Sequence, residues 1–216
     1  MKTFTSCQHK ASTATEAVPS RHFSQTFVSV VFALCLLMGT SLSATAQDKR
    51  YHGDGIDDYL RFVPLATVGV MRLTGQPAAH DDLNLLANVA LSTIISCGTT
   101  WTLKSCIHSK RPDGTDNHSF PSGHTTFAFS GATILHKEYG RHRPWLSIAG
   151  YGVATVTAVD RIRRNRHHWG DVVAGAAIGV LGTEAGYFIS GKLLPDNDKL
   201  ALSVSPTGVS LAFTLY

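Results

Sequence analysis

"DRIRRNRHHWGD", residues 160–171, places four arginines, two adjacent histidines and a tryptophan between two aspartates. A soluble helix could carry that much positive charge on a solvated face. This run, however, leads straight into "VVAGAAIGVLG", residues 172–182, which is almost wholly apolar. Charge and two titratable imidazoles at the mouth of a buried segment need a chemical reason, and the rest of the chain supplies one.

At 216 residues the chain fits one domain. It is 44% hydrophobic and 16% charged, whereas about a quarter of an ordinary soluble protein is charged. That balance points to a large buried core or to lipid contact. Residues 27–42, "FVSVVFALCLLMGTSL", form an uncharged apolar run after Lys2, Lys10 and Arg21 and before "ATAQ". Ala44 and Ala46 fit the small-residue pattern of a signal-peptidase site, so 1–46 reads as a secretory leader cleaved after Ala46. An uncleaved anchor helix is the alternative, and either reading exports the remainder of the chain. Without the leader the formal charge falls from +4 to about +2. The positive charge is therefore local, which argues for a site and against nucleic acid as a partner. Cys97 and Cys106, on one helix, would sit about 13 Å apart, too far for a disulfide. Buried thiols without a metal role are expected there.

Residues 47–81 read as a polar lead-in followed by a short helix over 58–73. A helix over 82–103 has about twenty residues without an internal charge, long enough for a bilayer core. Residues 109–119, "SKRPDGTDNHS", form a loop rich in turn residues. "PSGHTTFAFSGATILHKEYG", residues 121–140, opens a helix at Pro121 and stops it at Gly140. Further helices are expected at 145–159 and 171–193, the last rich in glycine and alanine as close packing requires. Spans are expected at 83–103, 145–159 and 172–191, with Glu184 the one charge in the last. "LSVSPTGVSLAFTLY", residues 202–216, alternates apolar and polar residues around Pro206, Thr207 and Gly208, the pattern of a β-hairpin. The expected fold is an all-α, membrane-embedded helical bundle over 82–200 with a short C-terminal β-hairpin at 201–216.

Three polar clusters stand at helix ends. Lys104 precedes Arg111 by seven positions and Pro112 comes next. "PSGH" covers Pro121 to His124. Arg161, His167 and Asp171 form the third. Alone, each has a bland explanation: a snorkelling lysine, a proline-led helix start, an interfacial histidine pair. In this order and spacing they resemble the signature of the type 2 phosphatidic acid phosphatase superfamily. That superfamily also includes bacterial acid phosphatases and vanadium haloperoxidases. The resemblance runs over residues 82–193, with one departure: Asp160 stands where the family usually has Ser or Thr before the third-motif arginine.

The resemblance implies a phosphatase whose helical domain brings the three motifs together. Lys104, Arg111 and Arg161 would neutralise phosphate oxygens, the two arginines as planar forks. Ser122 and Gly123 would offer backbone N–H groups at a helix start, and Gly123 would allow close approach. His167 would be the nucleophile that forms a phosphohistidine. Asp171, four residues on, would accept the other ring N–H from the same helix face. His124 would protonate the leaving alkoxide and then activate water. The implied chemistry needs no metal or other cofactor, and the sequence displays no carboxylate cluster to hold a metal.

The spacing to Arg161 and Asp171 favours His167 over the adjacent His168. Arg163, Arg164 and Arg166 match no catalytic position and read as a solvated loop or as a grip on an acidic head group. The expected activity is metal-independent dephosphorylation of a membrane lipid on the periplasmic side. Lipid A, phosphatidylglycerophosphate and undecaprenyl pyrophosphate are the substrate types implied. A soluble periplasmic acid phosphatase is the first alternative. A non-catalytic phospholipid-binding envelope protein is the second, and it would need neither histidine.

Overall fold

The computed structural model describes residues 55–194, and the backbone of 200–205 and 208–213. The leader and cleavage site expected at 1–46 lie outside these residues. Six helices form the described part: α1 (Ile56–Leu60), α2 (Val63–Leu73), α3 (Asp82–Cys106), α4 (Gly123–Tyr139), α5 (Pro144–Arg163) and α6 (Trp169–Leu193). The protein is predominantly helical, as expected.

The single helix expected over 58–73 is two. Pro64 sits in the first turn of α2, where its missing N–H costs nothing but an upstream helix cannot continue unchanged. Arg61 and Phe62 turn the chain between them, with Phe62 N–H donating to the Tyr59 carbonyl at 3.1 Å. Pro121 likewise does not open α4. Its peptide bond with Phe120 is cis, and the helix begins at Gly123 with Ser122 as N-cap. Gly140 does close α4, donating its N–H to the His136 carbonyl at 2.8 Å.

α4 lies at the centre, packed by α2, α3, α5 and α6. One core cluster joins Leu65 and Val68 of α2, Leu85 and Val89 of α3, Leu146 of α5, and Phe127, Ile134, Leu135 and Tyr139 of α4. Elsewhere the packing is close because side chains are small. A Cβ on Gly175 of α6 would meet the Ser122 carbonyl at 2.6 Å, and one on Gly186 would meet the Ser92 nitrogen at 2.5 Å. Hydroxyls fill these tight seams. Thr100 donates to Thr126 at 3.0 Å, and Ser130 and Thr183 share a bond of 2.9 Å.

α3 and α6 are long and apolar enough to cross a membrane, whereas α5, the third span expected, is not among them. Glycines, threonines and a tyrosine thin its apolar content between residues 150 and 157. Large apolar side chains nevertheless face outward on all three: Ile94 and Trp101 on α3, Trp145 and Ile148 on α5, Leu181 and Phe188 on α6. Glu184, the charge inside the expected last span, pairs with Lys137 at 2.7 Å. Cys97 and Cys106, the cysteines among the described residues, lie on α3 and are free, but Cys106 is exposed at the helix end, contrary to the buried thiol expected. The fold rests on the helices alone. The C-terminal hairpin expected at 201–216 is not established as part of it, because its side chains lie outside the described residues and only a local backbone pairing of 200–205 with 208–213 is drawn.

The chain connectivity gathers the three motifs at one end of the bundle. Lys104 ends α3, Ser122 caps α4, Arg161 ends α5 and His168 caps α6. α1 packs against α5 and α4 beside them.

Candidate active site

The turn between α5 and α6 fixes His167. α6 starts at Trp169, so His167 lies outside it and the shared helix face expected for His167 and Asp171 does not exist. Helix capping brings them near each other instead. Asp171 occupies the third helical position, and its Oδ2 accepts the His168 N–H at 2.9 Å, satisfying a donor with no partner inside the helix. The same oxygen lies 3.5 Å from Nδ1 of His167 and accepts a short bond from the Ser119 hydroxyl. Ser119 Oγ is also 3.5 Å from Nδ1. His167 is only 3% exposed. His168 turns outward, its Nε2 3.3 Å from the Lys110 carbonyl.

Burial holds the His167 imidazole well below the usual range, at about 4. The positive charges of Arg161, Arg111 and Lys104 act in the same direction, and Asp171 opposes them. The ring is thus neutral at ordinary pH and surrounded by cations, a setting suited to a nucleophile that attacks a dianion.

The cations are held by identifiable partners. Lys104 Nζ donates to the His118 carbonyl at 2.7 Å. Arg111 Nε donates to Asp116 at 2.8 Å, and its Nη1 reaches the Arg166 carbonyl at 3.4 Å. Arg161 is 6% exposed. Its Nη1 bonds Asp57 Oδ2 at 2.5 Å, while its Nε is buried without a hydrogen-bond partner. Ser122 is fully buried, and its N–H, expected to face an anion, instead donates to the Asp171 carbonyl at 2.9 Å. Gly123 comes next as the first residue of α4.

His124 opens α4, and its Nε2 lies 2.7 Å from Asp58 Oδ1. Burial pushes its imidazole down to about 3 despite Asp58, with Arg161 and Arg61 adding to the effect. Asp57 is fully buried and bonds both Arg161 and, at 2.8 Å, Arg164. Burial alone would raise its carboxyl; Arg161 outweighs this, with help from His124 and Arg164, and holds it below the usual carboxylate value. Asp57, Asp58 and His124 place three possible ligand atoms within 4.8 Å of one another, so the fold assembles a carboxylate cluster that the sequence did not display. Asp57 is already matched by two arginines, and a cation there would meet their repulsion.

The extra arginines of 160–171 each meet a carboxylate. Arg163 pairs with Asp160 at 3.0 Å, Arg164 with Asp57, and Arg166 with Asp113 at 2.7 Å. Asp160, the departure from the family pattern, thus partners Arg163. Asp57, Asp58 and Ser119 are the residues sequence reading missed.

The sequence matches the PAP2 superfamily over residues 85–192. It is 36% identical over 184 residues to a lipid A 1-phosphatase of Porphyromonas gingivalis, covering 82% of this chain and 39% of that protein. It is 28% identical over 147 residues to a lipid A 4'-phosphatase of Helicobacter pylori, covering 63% of this chain and 70% of that protein. The crystal structure of the first transmembrane PAP2 type phosphatidylglycerolphosphate phosphatase from Bacillus subtilis aligns with a TM-score of 0.46 at 17% identity, over 82% of this chain and 96% of that one. The chain spans about two fifths of the length of the first of these relatives. With its three motifs gathered at one end of a helical bundle, and half its length matched to the family, this chain belongs to the PAP2 superfamily.

Proposed function

We propose that this protein is a metal-independent phosphatase that hydrolyses a phosphomonoester or pyrophosphate carried by a membrane lipid. The observation that carries the reading is the contrast between adjacent histidines. His167 is buried among Lys104, Arg111 and Arg161 beside Ser119 and Asp171, while His168 faces outward.

His167 attacks phosphorus, and a P–N bond forms as the P–O bond to the lipid breaks. The bonding pair leaves with the lipid oxygen, which takes a proton from His124. Arg161, Arg111 and Lys104 neutralise the three equatorial oxygens. Gly123, without a side chain, and the first-turn amides of α4 complete the cradle; Ser122 contributes through its position as the cap. Water, deprotonated by His124, then hydrolyses the phosphohistidine, and the P–N pair returns to His167. Asp171 and Ser119 hold the His167 ring throughout.

Lipid is the favoured solvent for the substrate. α3 and α6 would span a membrane, with the outward apolar residues of α3, α5 and α6 facing acyl chains. Anionic lipid A is the favoured head group because two of the relatives are named for it. An inner-membrane location with the site facing the periplasm is in keeping with the leader expected at 1–46.

Phosphate release by detergent-purified protein in EDTA tests this. The substrates are lipid A, phosphatidylglycerophosphate, phosphatidic acid, undecaprenyl pyrophosphate and p-nitrophenyl phosphate. Turnover confined to one lipid is expected and names the head group. Equal turnover of p-nitrophenyl phosphate would move the assignment to a broad acid phosphatase. Folded but silent protein would overturn catalysis in favour of phospholipid binding.

A further inference from the structure

His167 has Asp171 and Ser119 around it. His124 has a carboxylate of its own, from a part of the chain outside the three motifs. Asp58 Oδ1 lies 2.7 Å from Nε2 of His124, across 66 positions of sequence. The Asp58 side chain is itself held, since Oδ2 accepts the Gly55 N–H at 3.2 Å and closes the first turn of α1. α1 is anchored in turn by Asp57, fully buried against Arg161 and Arg164. A carboxylate fixed at both oxygens is a rigid acceptor. An ionised carboxylate only accepts, so the nitrogen facing it carries the proton.

We infer that Asp58 is the positioning residue of His124, holding the ring by its Nε2–H so that Nδ1 faces the leaving oxygen and the imidazolium can form in a buried site. This rests on the phosphatase reading above. Nε2–H stays on Asp58 through both steps. Once the phosphate dianion is bound, Nδ1 takes up a proton from solvent, and that proton passes to the alkoxide as the P–O bond breaks. Nδ1 then takes a proton from the water that attacks phosphorus. Without Asp58 the charged ring would lose its hydrogen-bonded carboxylate and still face burial and the like charges of Arg61 and Arg161, with Asp57 4.0 Å away. The surroundings of His124 that matter are therefore Asp57 and Asp58 of α1, Arg61 just after it, and Arg161 of α5.

Leaving-group dependence separates this role from mere support of the fold. An alkoxide needs a proton to depart, whereas p-nitrophenoxide leaves nearly unaided. The test compares kcat/KM, which reports the bond-breaking step, for short-chain phosphatidic acid and p-nitrophenyl phosphate. Wild type, Asp58→Asn and Asp58→Glu are assayed in one detergent, each with its thermal midpoint. The expected result is a loss of about 10- to 100-fold on the alkyl substrate for Asp58→Asn. The aryl substrate should change by much less, the basic limb of the alkyl pH profile should move to lower pH, and Asp58→Glu should recover part of the loss. Equal losses on both substrates would reduce Asp58 to a strut for α1 and overturn the inference. Unchanged or faster alkyl turnover would overturn it too. A wild-type protein silent on every substrate would instead sink the phosphatase reading itself.

Discussion

Asp57 and Arg161, 104 positions apart in sequence, meet at 2.5 Å in a site where Asp57 is wholly shielded from solvent. Arg161 is one of the three cations facing His167. Removing one member of a buried pair strands the other, at a cost of about 3–5 kcal/mol. Asp57→Ala should therefore lower the thermal midpoint markedly. Inorganic phosphate should restore more stability to the variant than to wild type, because the dianion supplies the missing charge. A variant that melts like wild type would show that Arg164 and Arg161 do not depend on Asp57.

The neighbouring histidines should separate cleanly. His167→Ala should lose roughly a thousandfold or more in kcat and fail to trap labelled phosphate on the protein. His168→Ala should keep turnover within about threefold, since its ring is exposed, with Nε2 3.3 Å from the Lys110 carbonyl. Rapid quenching of radioactive substrate turnover into alkaline denaturant, where a P–N bond survives, together with steady-state rates, checks both. A phosphorylated His167→Ala protein would assign the nucleophile elsewhere.

The acid limb of activity follows from the depressed His167. Its folded value of about 4 lies below the usual histidine value, so the ring stays neutral and able to attack until the pH falls to that region. kcat/KM for the wild type should therefore decline on the acid side near pH 4. The same sign governs stability: a depressed group contributes fully above its unfolded value of 6.5, and the contribution is lost as the pH falls through the folded value. A kcat/KM profile with its acid limb at the ordinary histidine value would show that His167 is not desolvated.

Ser119→Ala should lower kcat about tenfold with little change in KM. Its hydroxyl donates to Asp171 and sits 3.5 Å from His167 Nδ1, so it orients groups without touching the lipid. Steady-state kinetics decide the matter; an effect confined to KM would place Ser119 in substrate binding.

Gly175→Ala tests the packing beneath the site. Its Cβ would meet the Ser122 carbonyl at 2.6 Å, whereas a Cβ on Gly191 of the same helix meets nothing within 4 Å. Overpacking of this kind costs about 1–3 kcal/mol. Thermal melts of Gly175→Ala and Gly191→Ala should differ by that order, and matching melts would mean that α4 and α6 can part.

Much of this was legible in the sequence because it is local. The motif spacings, the long apolar stretches of α3 and α6 and the turn-rich loop at 109–119 are all patterns within short windows. The failures are of two kinds. Boundaries moved by a few residues: Pro64 splits the helix expected at 58–73, and α4 starts at Gly123, behind Ser122 as its N-cap, instead of at Pro121. Long-range pairing was invisible: nothing in "GIDDYL" states that its first aspartate will meet Arg161 or that its second will meet His124. Only the oddity of two adjacent acids near an otherwise apolar helix could have hinted at it. Asp171 does lie near His167, but a helix cap and not a shared helix face brings it there.

The PAP2 match begins at residue 85, well after α1. A fragment cut at α3 would keep every motif residue, and any inspection by signature would pass it as whole. It would also open Arg161 and Arg164 to solvent and leave His124 without a carboxylate. Some thirty residues upstream of the matched segment act as a keystone, and grafting or trimming this domain at residue 85 would remove the stone that locks the arch.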